Sequence, residues 1–139
     1  MTFTSAELDY LRSQPLGRLA TVGADCAVQV NPVGFRVAAD GSFIIGGHSM
    51  ATTRKYRNVA ETGRAALVID DLASRDPWTV RGIEVRGRAE ATTVDESPIP
   101  GTTTDVIRLH PDMVFTWGVE PGSTGMSRRE TTGERSVGL

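Results

Sequence analysis

Punctuation limits what this chain can fold into. Short β-rich runs follow one another, separated by turn residues, and only one helical stretch interrupts them. Leu16 to Val22 (LGRLATV) is one such run, closed by the turn Gly23-Ala24-Asp25. Cys26 to Ala39 (CAVQVNPVGFRVAA) is the next, with Pro32 inside it. Proline cannot donate to a strand ladder, so an edge, a bulge or a bend is expected there. Asp40-Gly41 is a hairpin signal leading into Ser42 to Gly47. Arg64 to Asp70 (RAALVID) reads as a short apolar strand, and Asp71 to Pro77 as an exposed loop. Trp78 to Val94 alternates, with Ile83, Val85, Gly87 and Ala89 on one face and Glu84, Arg86, Arg88 and Glu90 on the other. Glu96 to Thr104 is a loop by composition, Val106 to Leu109 begins a short element, and Asp112 to Val119 is the last strand. The expectation is a mainly β fold with short helices, a small barrel of about six strands. The βαβ alternation of a Rossmann sheet is absent.

Two segments carry helix signals. Thr4 is placed to cap, Glu7 follows three residues later, Leu8 and Leu11 share a face, and Pro15 stops the helix. Met50 to Thr62 (MATTRKYRNVAET) has helical spacing, with Tyr56, Val59 and Ala60 inward and Gly63 as its C-terminal stop.

The 139 residues suit one domain, read here as a barrel over 1–120 followed by a polar tail over 121–139. That tail, rich in Gly, Ser, Thr and Arg, lacks the apolar residues to drive its own folding, and is expected to be mobile or to lie along a partner subunit. Hydrophobic residues make up 39%, which leaves a modest core and favours further burial in a homodimer. A net charge of −2 gives no reason to expect nucleic acid or an anionic membrane as a partner. No apolar run approaches the roughly 20 residues that span a bilayer. The opening MTFTSAELDYLRS has no signal-peptide order, so a cytoplasmic protein is expected. Cys26 is the lone cysteine, read as small and buried, and His48 and His110 lie far apart, so no metal site is expected.

One cluster stands out for chemistry. Thr52, Thr53, Arg54 and Lys55 begin the second helix directly after Gly46, Gly47, His48 and Ser49. Free amides and the helix dipole favour an anion there, two hydroxyls offer neutral donors, and two cations add charge. A phosphate fits that description, and the glycines would let the backbone approach a flat ring. The competing reading is a solvated basic helix face. The Asn31-Pro32-Val33-Gly34-Phe35 break is either a site-flanking bulge or a protected edge. Trp78 and Trp117 are either stacking platforms or packing residues, and His48 is a proton carrier or a loop hydrogen-bonder. No nucleophile elbow, phosphate loop or metal motif is present, so no catalytic side chain is assigned and a cofactor must carry any reaction.

Four passages together resemble the pyridoxamine 5'-phosphate oxidase-like family of FMN-binding split β-barrels. These are LGRLATV with Gln29-Val30-Asn31-Pro32-Val33, then Lys55-Tyr56-Arg57-Asn58-Val59, then RAALVID, then Ile83 to Ala89 (IEVRGRA). The resemblance is closest to the branch dependent on the deazaflavin coenzyme F-420. The basic C-terminal motif of the oxidases that act on pyridoxamine phosphate has no counterpart, which argues against vitamin B6 oxidation. The resemblance implies a six-stranded split barrel and a homodimeric oxidoreductase passing hydride to a conjugated small molecule. FMN is the alternative cofactor, and a non-catalytic carrier the alternative function. It places Lys55 on the cofactor phosphate beside Thr53 and Arg54, and His48 and Ser49 along the phosphate and ribityl chain. Gln29, Asn31, Pro32 and Val33 would lie along the ring, with Trp78 arriving from the second subunit.

Overall fold

The computed structural model describes residues 2–123 and 125–131. The elements run α1 (Ser5–Ser13), β1 (Gly17–Val22), β2 (Val28–Val37), β3 (Phe43–Gly46), α2 (Arg54–Thr62), β4 (Arg64–Arg75), β5 (Trp78–Thr93), β6 (Asp105–Trp117) and β7 (Met126–Glu130), with a 3-10 turn at Met50–Thr52. The strands are ordered β3-β2-β1-β4-β5-β6-β7, and a β3–β6 pairing closes the first six into an antiparallel barrel. The expected split-barrel architecture is what the chain adopts.

Strand alternation builds the core. Leu19, Leu67, Ile69, Ile83, Val85, Ile107 and Leu109 all point inward and are buried. Phe43 and Ile45 of β3 add to this layer, and Met50 and Val59 close it from the side of α2. The capping box at α1 is present in full, with Thr4 accepting from the Glu7 amide and Glu7 accepting from the Thr4 amide. Gly63 ends α2 at φ 69°, a left-handed position suited to glycine.

Several expectations need correction. Residues 71–75 are strand, because the charges that suggested a loop are paired across a hairpin: Asp71 sits opposite Arg81 and accepts two hydrogen bonds from it. The two elements foreseen between Val106 and Val119 are one strand, β6, which runs through Pro111. The missing proline N–H falls in the gap where β6 leaves β3 and joins β7, so no ladder bond is lost. A bulge at Arg86/Gly87 faces this point, and there a Cβ on Gly87 would overlap the His110 carbonyl oxygen. Residues 126–130, read as part of a polar tail, pair with β6 of their own chain. Such a segment needs no core of its own, because an existing edge supplies the hydrogen bonds and Arg129 pairs with the buried Glu7. Residues 132–139 lie outside the described residues. Cys26 is exposed, in a turn with φ 68°, rather than buried. On α2, Asn58 turns inward and Ala60 outward.

Candidate functional site

The second helix starts later than its composition suggests. Met50–Thr52 forms a 3-10 turn and Thr53 becomes the N-cap of α2, its Oγ1 accepting from the Tyr56 amide at 3.3 Å. The same hydroxyl donates to the Met50 carbonyl at 2.7 Å, and Thr52 Oγ1 donates to the Ser49 carbonyl at 2.9 Å. Both hydroxyls are therefore spent on the turn and are not neutral donors awaiting a ligand. The helix mouth itself remains. The Arg54 and Lys55 amides have no carbonyl four residues back within the helix. Lys55 is half-buried and Arg54 exposed, and neither side chain pairs with a described residue.

The glycines before the mouth serve the protein's own loop. A Cβ on Gly46 would meet Pro98 and Thr102 within about 3.2 Å, and one on Gly34 would meet Ile99 at 2.5 Å. The 95–104 connection lies across β2 and β3, tied by Thr103 N–H to the Gly47 carbonyl at 3.0 Å. It thus occupies the space that a flat ring was expected to use beside Gly46. His48 is exposed, and its Nδ1 lies 2.9 Å from the Gly101 carbonyl oxygen. A carbonyl only accepts, so Nδ1 carries the hydrogen and Nε2 is left as the free ring nitrogen. Ser49 is exposed beside it.

On β2 alternation divides the four singled-out residues. Gln29 and Asn31 lie opposite Thr21 and Leu19 and share their inward face. Asn58 of α2 donates to Thr21 Oγ1 at 3.1 Å, so α2 lies over this part of the sheet. Gln29 Oε1 and Asn31 Oδ1 are buried there and accept no hydrogen bond. A buried unpaired carbonyl costs about 1–3 kcal/mol, so two on one strand mark a place where donors are wanted. Val33 continues that face into the core, 5% exposed, whereas Pro32 points outward with Val28 and Val30. Trp78 is remote from all of these. It begins β5, and Thr92, whose carbonyl accepts from Tyr56 of α2, stands near the end of the same strand.

Sequence reasoning missed Asn58, and it expected Tyr56 inward without identifying its partner. Asn58, one residue before the buried Val59, faces the sheet instead of solvent. Tyr56 donates to the Thr92 carbonyl at 3.4 Å, and burial, aided by the negative charge of Asp105, pushes its phenol above the ordinary value, which keeps it a donor. Among the described residues no group of His, Cys, Asp or Glu is arranged to hold a metal ion.

The sequence model of the pyridoxamine 5'-phosphate oxidase family matches residues 3–118. A 5a,11a-dehydrotetracycline/5a,11a-dehydrooxytetracycline reductase from Streptomyces rimosus is 42% identical over 137 residues, covering 96% of each chain. Among solved structures, a heme binding protein from Mycobacterium smegmatis superposes with a TM-score of 0.67 at 17% identity, over 98% of this chain and 62% of that one. A conserved hypothetical protein from Mycobacterium tuberculosis gives 0.65 at 22% identity, over 94% of both chains. At such identities the two structures speak for the fold alone. With its barrel, its order of motifs and its match across nearly the whole length, the chain belongs to the pyridoxamine 5'-phosphate oxidase family.

Proposed function

We propose that this chain is a cytoplasmic, homodimeric reductase that uses coenzyme F-420 to deliver hydride to a conjugated, fused-ring small molecule. Its class as an oxidoreductase follows from its family and from the reductase it resembles at 42% identity. Members of the family commonly bind a flavin. The carrying observation is the pair of buried, unpaired oxygens on Gln29 and Asn31 beneath α2. They would accept from the N–H groups at the polar edge of the ring. Lys55, Arg54 and the two free amides at the start of α2 would hold the phosphate. When bound, reduced F-420 supplies the hydride, and a proton must reach the neighbouring carbon of the reduced double bond. His48 stands exposed just before the mouth, and with its Nδ1–H held by the Gly101 carbonyl its Nε2 would take up a proton from solvent and pass it to that carbon.

The fused-ring acceptor is carried over from the name of the Streptomyces rimosus relative. Dimerisation is supported by the outer face of the barrel, where Val28 and Val30 are 76% and 63% exposed. Ala20, Ala66 and Val68 extend that apolar strip across β1 and β4. An uncovered strip of this kind suits a second copy. Among the described residues no helix is long and apolar enough to cross a membrane. Native mass spectrometry after titration with F-420 and, separately, FMN tests the reading. A dimer taking up one F-420 per chain is expected. Uptake of FMN alone would move the assignment to the flavin, and uptake of neither would overturn it.

A further inference from the structure

Both tryptophans of this chain wall the same cavity. Trp78 from the start of β5 and Trp117 from the end of β6 line a hollow of about 310 Å3, together with Thr79, Val80, Gly118, Ser123 and Gly125. Trp78 is 72% exposed and Val80 44%. Opposite Trp117 on β5 stands Gly82, which has no side chain to cover the indole. On its other flank Trp117 pairs with Met126, also exposed. Among the described residues no charged side chain lines the hollow; Arg75 stands opposite Trp78 across the hairpin, and the nearest cation on β5, Arg81, is held by Asp71. Two indoles around an open slot without a lining cation match a flat ring system better than a phosphate.

The hollow is not the cofactor mouth of the same protomer. It lies at one end of the sixteen-residue β5, and the Thr92 carbonyl that meets α2 lies at the other. Fourteen steps at about 3.3 Å each separate them along the strand, on the order of 45 Å. A two-fold axis lying in the proposed dimer interface and running across the strands reverses β5. In such a dimer the tryptophan end of one protomer would lie toward the helix mouth of its partner.

We propose that this hollow binds the fused rings of the acceptor and that Trp78 is a specificity-determining residue that stacks on them. The proposal rests on the reductase reading and assigns Trp78 to the acceptor instead of the cofactor. Intrinsic fluorescence reports on it directly, since the chain has no other tryptophans. With tetracycline as the fused-ring probe and no cofactor present, saturable quenching is expected in the unaltered protein. Trp78→Ala should weaken it at least tenfold, and Trp78→Phe should recover most of the affinity. The affinity for F-420 should be unchanged in Trp78→Ala, while KM for a fused-ring acceptor rises more than kcat falls. An absence of saturable quenching, or a Trp78→Ala protein that loses F-420 instead of the probe, would overturn the assignment. A protein that binds neither F-420 nor FMN yet loses the probe on Trp78→Ala would end the reductase reading and still uphold the ring site.

Discussion

Arg129→Ala tests whether the last strand is an integral part of this fold. Glu7 is 1% exposed, and its oxygens accept from Arg129 Nη2 at 2.6 Å and Nη1 at 2.8 Å. The Thr4 amide adds a third bond at 2.9 Å, and Arg129 Nη2 also donates to the Thr2 carbonyl at 2.6 Å. Burial by itself pushes the Glu7 carboxyl up, but the Arg129 hydrogen bond, the Thr4 amide and the Arg129 charge outweigh it, and the net direction is downward. Removing the arginine leaves a buried carboxylate with no cation. Breaking a fully buried pair costs about 3–5 kcal/mol. The Arg129 side chain is 36% exposed, so water screens part of the interaction and about 2–3 kcal/mol is expected. For a chain of this length that lowers Tm by about 6–15 °C. The pH dependence follows from the sign of the shift. A carboxyl titrating below its unfolded value contributes stability above the unfolded pKa and loses it as pH falls through the folded one. In Arg129→Ala burial is no longer offset, the folded carboxyl moves upward, and the deficit against the parent protein shrinks on acidification from pH 7 to 4. Glu7→Gln added to Arg129→Ala removes the orphaned charge while keeping the capping box, and should recover at least half of the lost stability. Thermal melts of the parent, single and double variants across pH provide the check. A single variant within about 0.5 kcal/mol of the parent, or a double variant less stable than the single, would refute the reasoning.

Lys55→Ala should weaken binding of F-420 by about 1.5–3 kcal/mol through loss of a charge-assisted phosphate contact, read by isothermal titration. Unchanged affinity would remove Lys55 from the site. Gly87→Ala should cost about 3 kcal/mol or more, because the added methyl overlaps the backbone oxygen of His110 and no side chain can yield. A melt within a few degrees of the parent would show that the β5–β6 crossing is looser than described. Val30→Arg, on the apolar outer face, should convert a dimer into monomers at micromolar concentration while leaving the far-UV circular dichroism unchanged. Light scattering that still reports a dimer would place the interface elsewhere.

Local, periodic features were legible in the sequence. The capping box at Thr4, the stop at Gly63, the Asp40-Gly41 hairpin and the alternation of β5 rest on contacts a few residues apart, or on which face a side chain occupies. What escaped depends on partners distant in the chain. Asp71 looks like loop material until Arg81 is opposite it, and Met126–Glu130 has no reason to be strand until the edge of β6 is available. Gly46 reads as space for a ligand until Pro98 and Thr102, more than fifty residues later, are seen to fill it. Within the candidate site, Lys55 and the helix mouth follow from the order of residues, but the use of Thr52 and Thr53 hydroxyls inside the turn does not. Hydroxyls beside free carbonyls bond locally, and composition does not say which carbonyls are free.

Strand β2 ties the two halves of the functional reading together. Its alternation sends Gln29 and Asn31 inward, where their oxygens lie unpaired, and Val28, Val30 and Pro32 outward, where they lie uncovered. Pro32 can occupy this strand because β3 pairs with β2 only from Gly34 onward, which leaves the other side of β2 open at Pro32. Sliding β2 by one residue would exchange the faces, burying valines where donors are wanted and presenting amides to the second subunit. The proposed cofactor contacts and the proposed self-association therefore depend on the same register, and that register is fixed by the turn between Val22 and Val28, where Cys26 N–H donates to the Gly23 carbonyl and Gly23 N–H to the Ala27 carbonyl. A change in the length of that turn should abolish both properties at once, whereas a substitution on either face should remove only one.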